Sequence, residues 1–127
     1  MTYLASVVIP VKNGEEFLDE VLRQVLSQKT DFAYEVIVID SGSTDSSLEI
    51  IKHYNVNLIQ INSQEFNHGL TRNLGVEKSS GEFIAFITQD ATPVNDQWLQ
   101  NLVMPLKENP EVAGVFGKHL ARPNCDP

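Results

Sequence analysis

Three short stretches hold the side chains able to do chemistry. They are Asp40 with the Ser-Gly-Ser-Thr-Asp that follows it, the tripeptide Thr88-Gln89-Asp90, and the run from Phe66 to Asn73. Asp40 closes the apolar run EVIVID (35–40). A carboxylate in that place can accept hydrogen bonds from a base imide or from ribose hydroxyls; it can equally cap its own loop. Asp90 follows the apolar run EFIAFIT (82–88). One carboxylate beside a polar amide suits a hard divalent cation such as Mg²⁺, which takes one or two carboxylates and fills its shell with substrate phosphate and water. The alternative is an N-cap Asp in a loop. Arg72 has no acid three or four residues away. Its planar fork suits a phosphate or a base carbonyl, and the competing reading is a surface arginine. His68 reads as a loop histidine capping a helix rather than as a ligand. His53 and His119 have no partners at ligand spacing and read as structural or surface residues.

Several chemistries are excluded. Gly42 stands where a haloacid-type phosphatase needs a second Asp, and it also breaks the Asp-x-Ser-x-Ser of a metal-binding adhesion loop. Val11-Lys12-Asn13 supplies no acidic pair for a phospho-receiver domain. Neither a GxxxxGK[ST] loop nor a GxGxxG loop is present. The 127 residues carry 17 acids against 9 bases, a net charge of −8. That balance argues against nucleic-acid binding, which needs a basic face. It also favours a cation at any diphosphate site. A phosphate charge roughly 4 Å from a carboxylate costs about 4 kcal/mol at an effective dielectric near 20, and a divalent ion reverses the local sign. The single cysteine, Cys125, forms neither an internal disulfide nor a Cys-rich metal site. No apolar run approaches the roughly 18 residues that span a bilayer. Pro10 and Lys12 interrupt the apolar N-terminal stretch, so it is read as no signal peptide and the chain as cytoplasmic.

Five apolar runs must position these residues: 6–11, 35–40, 57–61, 82–88 and 111–116. They are rich in Val, Ile and Phe, and most are apolar throughout, the habit of parallel strands covered on both faces. Between them lie helical patterns. Phe17, Leu18, Val21, Leu22, Val25 and Leu26 make one apolar stripe. A second helix is predicted to start near Thr44 or Asp45, with Ser46 and Glu49 at capping-box spacing. A third is predicted over about 69–79, stopped by Gly81, and a fourth from about Asn95, bending or ending near Pro105. Four strand–helix repeats and a closing strand predict one α/β domain over 1–127 with a doubly wound, mostly parallel sheet. Ligands of such sheets bind beyond the carboxyl ends of the strands, which points to 10–14, 40–45 and 88–93.

The strings SVVIPVKNGEEFLDEVLRQVLSQ, YEVIVIDSGSTDSS and FNHGLTRNLGVEKSSGEFIAFITQDATP, in this order, resemble the N-terminal half of family 2 glycosyltransferases, which have the GT-A fold. HGLTRN, FITQDA and VFGKHLARP resemble the bacterial rhamnosyltransferase-type members most. The resemblance implies that Pro10, Val11, Lys12 and Asn13 line the donor pocket, with Gly42 in the loop beside it. It implies that Asp40 bonds a uracil or thymine imide and that Arg72 contacts base or phosphates. Gln89 would lie near the ribose, and Asp90 would hold Mn²⁺ or Mg²⁺. Two departures stand out: the acid usual at Gln89 is missing, and Lys12 replaces a frequent aromatic. The implied activity is inverting transfer from dTDP-rhamnose or a UDP-sugar to a saccharide or lipid-linked acceptor, at the inner membrane face in the full-length enzyme. The family's base lies downstream, so no catalytic residue is assigned and Asp126 is not taken for it. The alternative is a nucleotide-binding fragment without turnover. A cut edge beyond the fifth strand is expected to favour a homodimer.

Overall fold

The computed structural model describes residues 3–62 and 68–108. Four strands alternate with four helices in the order β1 (Ala5–Val11), α1 (Leu18–Leu26), β2 (Tyr34–Asp40), α2 (Ser47–Lys52), β3 (Asn57–Gln60), α3 (His68–Lys78), β4 (Phe83–Phe86) and α4 (Trp98–Glu108). The sheet order is β3-β2-β1-β4 and every pairing is parallel. Strand order therefore reverses between β1 and β4, and their carboxyl ends flank the crevice that such a reversal opens. The predicted fifth strand at 111–116, His119, Cys125 and Asp126 lie outside the described residues.

The sheet is covered on both faces, as its apolar runs require. On one face Val7, Ile9, Val11, Val36 and Val38 pack with Leu18, Val21, Leu22 and Val25 of α1, Ile51 of α2, and Leu99 and Val103 of α4. On the other face Val8, Ile37 and Ile39 pack with Leu74 of α3 and with Ile59, Ile61 and Ile84. Each fully buried Val, Ile or Leu contributes about 1.5–3 kcal/mol relative to exposure. β1 and β2 are central, and apart from half-buried Pro10 and Tyr34 their residues are buried; β3 and β4 flank them and are only partly covered.

Two predicted helix starts move. The capping box at Ser46 does not form, because Ser46 makes no side-chain cap. Instead the Asp45 carboxylate accepts the Ser47 N–H at 2.9 Å, and Glu15 accepts the Ser46 N–H at 2.9 Å. α4 begins at Trp98 rather than Asn95. Asn95 is spent on a local turn, its side chain accepting the Gln97 N–H at 2.8 Å. Buried Gln28 caps the helix from outside, its Oε1 accepting the Leu99 N–H at 2.9 Å and its Nε2 donating to Asn95 O at 2.8 Å. The helix then runs through Pro105 for three further residues.

At the amino ends of the strands a buried acid pins β4. Glu35 accepts hydrogen bonds from the Ser6 hydroxyl (2.6 Å), the Ser80 N–H (2.6 Å) and the Asn57 side chain (3.3 Å), while Ser6 Oγ accepts the Gly81 N–H (2.8 Å).

Candidate functional site

The carboxyl ends of β1 and β2 lie level, Val11 pairing with Asp40 and Asp40 with Gln60. The loops after them are laced together. Lys12 Nζ donates to Ser41 O (3.2 Å) and Gly42 O (2.9 Å). The Asn13 N–H donates to Ser43 Oγ (2.9 Å), and Asn13 Oδ1 accepts the Thr44 N–H (2.7 Å). The Gly14 N–H donates to Ser47 Oγ (2.8 Å), and the Glu15 N–H donates to Asp45 Oδ2 (3.2 Å). Two backbone positions are left-handed, Asn13 at φ 50° and Gly42 at φ 84°. Asn tolerates that region and glycine enters it freely, so Gly42 is fixed by the turn it makes.

Asp40 is 1% exposed. Its Oδ2 accepts the N–H groups of Gly42 and Ser43, each at 3.1 Å, and its Oδ1 accepts the Ser43 hydroxyl at 2.5 Å. The loop-capping role is thus present, and Oδ1 keeps acceptor capacity for a ligand. The Asp45 carboxyl is held below its ordinary range: burial pushes the other way, and hydrogen bonds from Ser47 and from the Glu15 N–H outweigh it.

The remaining predicted residues divide. Val11 is buried in the core and shapes the rim only through its carbonyl, which accepts the Ser41 N–H at 3.0 Å. Pro10 is half-buried one residue earlier on β1. Gln89 pairs with the main chain of Lys12, its Oε1 accepting the Lys12 N–H at 2.8 Å and its Nε2 donating to the Lys12 carbonyl at 3.0 Å. Asp90 is exposed, and its Oδ1 accepts the Thr88 hydroxyl at 2.8 Å. Arg72, on α3, sets its guanidinium 5.4 Å from the centre of the Phe86 ring on β4. His68 is the first residue of α3 rather than a loop residue before it. The structure therefore brings Lys12, Asn13, Asp40, Gly42, Gln89 and Asp90 to one rim.

The sequence assigns no individual site role to Ser43, Asp45, Ser47 and Glu15, which lace the two loops, or to Thr88, which bonds Asp90. The density of Ser, Thr and Asp after a strand was the available signal.

Among the described residues no group of three His, Cys, Asp or Glu side chains could hold a metal. The donor set at Asp90 is one hard carboxylate with a hydroxyl, which fits Mg²⁺ or Mn²⁺ when phosphate oxygens supply further ligands. A groove of about 430 Å³ lined by Tyr3, Leu4, Phe32 and Gly81 lies at the opposite end of the strands. No helix among the described residues is long and apolar enough to cross a membrane.

The sequence profile of Glycosyl transferase family 2 matches residues 6–124. Among curated proteins, the chain is 35% identical over 124 residues to the O-antigen chain rhamnosyltransferase RfbN of Salmonella typhimurium, covering 96% of this chain and 39% of that protein. Among solved structures it is similar to residues 1–349 of S. aureus TarS in complex with UDP-GlcNAc, with a TM-score of 0.69, 30% identity, 85% of this chain and 32% of that one. It is also similar to glucosyl-3-phosphoglycerate synthase from Mycobacterium tuberculosis in complex with Mn²⁺, UDP and glucosyl-3-phosphoglycerate. There the TM-score is 0.65 and the identity 26%, over 82% of this chain and 39% of that one. The chain thus spans about two fifths of the length of the rhamnosyltransferase it matches.

Proposed function

Given that the chain belongs to glycosyl transferase family 2, we propose that it is the donor-binding part of an inverting, metal-assisted glycosyltransferase. The observation that carries this reading is the convergence of Asp40, Lys12 and Asp90 on one rim, at the carboxyl ends of β2, β1 and β4. Two carboxylates with a lysine between them suit the two ends of a nucleoside diphosphate. Asp40 Oδ1 accepts the imide N–H of uracil or thymine. Lys12 uses two of its three N–H bonds on Ser41 and Gly42 and has a third for a base or ribose oxygen. Asp90, facing solvent, is the residue to hold Mn²⁺ or Mg²⁺ against the diphosphate. A divalent cation bound there would offset the charge that builds on the departing diphosphate.

The favoured donor is dTDP-rhamnose, with a UDP-sugar second. RfbN is a rhamnosyltransferase by name, and the solved neighbours hold UDP-GlcNAc or UDP. The acceptor is a saccharide or lipid-linked hydroxyl, deprotonated by a carboxylate in line with the anomeric carbon. None of the described residues is assigned that role, and the work is proposed to occur in the cytoplasm, at the membrane face. The second reading is a nucleotide-binding part with no turnover by itself.

Calorimetric titration of UDP and dTDP, with and without Mn²⁺, tests the proposal. The expected result is binding that strengthens at least about tenfold with the metal, since a single carboxylate and a diphosphate are each incomplete ligand sets. Failure of both nucleotides to bind in the presence of Mn²⁺ would overturn it. Sustained release of nucleoside diphosphate from a donor would decide against the fragment without turnover.

A further inference from the structure

We propose that Gln89 is a positioning residue. Its amide ties the end of β4 to the end of β1 across the crevice and so sets Asp90 against the donor rim, without touching the donor. The proposal rests on the donor-site reading above. Main-chain pairing between β1 and β4 ends early: Val8 faces Phe86, and the last bond runs from the Ile87 N–H to Val8 O at 3.1 Å. Beyond it the strands diverge at the reversal of strand order. Gln89 bridges the gap with a side chain that imitates a strand. One bond is accepted from the Lys12 N–H and one is donated to the Lys12 carbonyl, 2.8 and 3.0 Å long. This donor–acceptor exchange is the one by which an antiparallel residue pair joins.

Gly14 is shaped to receive it. A Cβ at that position would stand 2.6 Å from Gln89 Oε1 and 2.8 Å from its Cδ, closer than real contacts allow. The clamp also has a route to the other acid. The residue it grips, Lys12, holds Gly42 O through its ammonium, and the Gly42 N–H in turn donates to Asp40. A continuous string of hydrogen bonds therefore runs from the residue beside Asp90 to Asp40. An acid at position 89 would break it, because a carboxylate can accept from the Lys12 N–H but cannot donate to the Lys12 carbonyl.

Gln89→Met tests this, because a thioether of similar length keeps the bulk, cannot donate to the Lys12 carbonyl, and adds no charge beside Asp90. At one fixed pH, UDP affinity with Mg²⁺ should fall about tenfold below the parent's, as expected for one lost buried bond. The backbone amide resonances of Lys12 and Gly14 should shift in the nucleotide-free protein. Gln89→Ala should show the same two changes. A Gln89→Met protein that binds UDP as the parent does overturns the proposal. So does an affinity loss with a stationary Lys12 amide, which would make Gln89 a direct donor contact. If the parent binds no nucleotide, the donor-site reading falls, while the Lys12 amide shift in the free protein still decides the clamp.

Discussion

Asp40 and Asp90 stand on either side of β1, and they are held in opposite ways. Asp40 is enclosed and organises its loop through three hydrogen bonds. Asp90 is exposed and bonds only Thr88 among the contacts described. Their replacement should therefore separate stability from binding. Asp40→Ala leaves the Gly42 and Ser43 N–H groups without their acceptor, each costing about 1–3 kcal/mol if water cannot replace it. Thermal denaturation should show a lowered midpoint, and calorimetry a weakened nucleotide. Asp90→Ala should leave the midpoint close to the parent's, its stability changing by no more than about 0.5 kcal/mol as for other surface changes, while abolishing the gain in nucleotide affinity that Mn²⁺ brings. Equal midpoints for the two variants would refute the distinction. The places of both residues at strand ends were legible from the sequence because a polar residue ending an apolar run is a local signal. The fate of Gln89 was not. Its partner is Lys12, 77 positions away, and nothing in the tripeptide Thr-Gln-Asp says whether the amide faces a ribose or a peptide bond.

At the scale of elements, the strands of the sheet were read with their ends within a few residues, and the helix starts less well. The apolar stripe of α1 suffices to place it, since Leu18, Val21, Leu22 and Val25 are all buried. The starts of α2 and α4 depend on side chains borrowed from elsewhere, Glu15 for one and Gln28 for the other. Such capping has no sequence periodicity to reveal it. The buried acid at the far end of the sheet behaves alike. Ser6 both donates to Glu35 and accepts from Gly81, so Ser6→Ala breaks two bonds at once and loosens the entry to β4. A loss of about 2–4 kcal/mol is expected from one unpaired N–H and one weakened carboxylate. Urea titration checks it, and faster amide exchange at Ser80 and Gly81 should accompany the loss. A variant as stable as the parent would show that water takes the hydroxyl's place.

For the molecule as a whole, the doubly wound parallel architecture followed from composition and order alone, because only a sheet buried on both faces uses such continuous apolar strands. The net charge of −8 is a property of the same scale. It opposes a diphosphate at any distance within the screening length of about 8 Å at physiological salt. Without divalent metal, nucleotide affinity should rise as NaCl is increased from about 0.02 to 0.15 M. With Mn²⁺ present the dependence should flatten or reverse. Calorimetry at the two salt levels reads this directly, and a metal-free affinity that falls with salt would mean that Lys12 and Arg72 govern the local field instead.

The lacing of the rim also has a meaning for anyone who wishes to alter donor choice. Residues 12–15 and 41–47 share their polar groups so thoroughly that neither can be exchanged alone. Grafting one from a relative would orphan donors in the other. Libraries or chimaeras aimed at a new sugar nucleotide should transplant both segments as a single cassette and diversify them jointly.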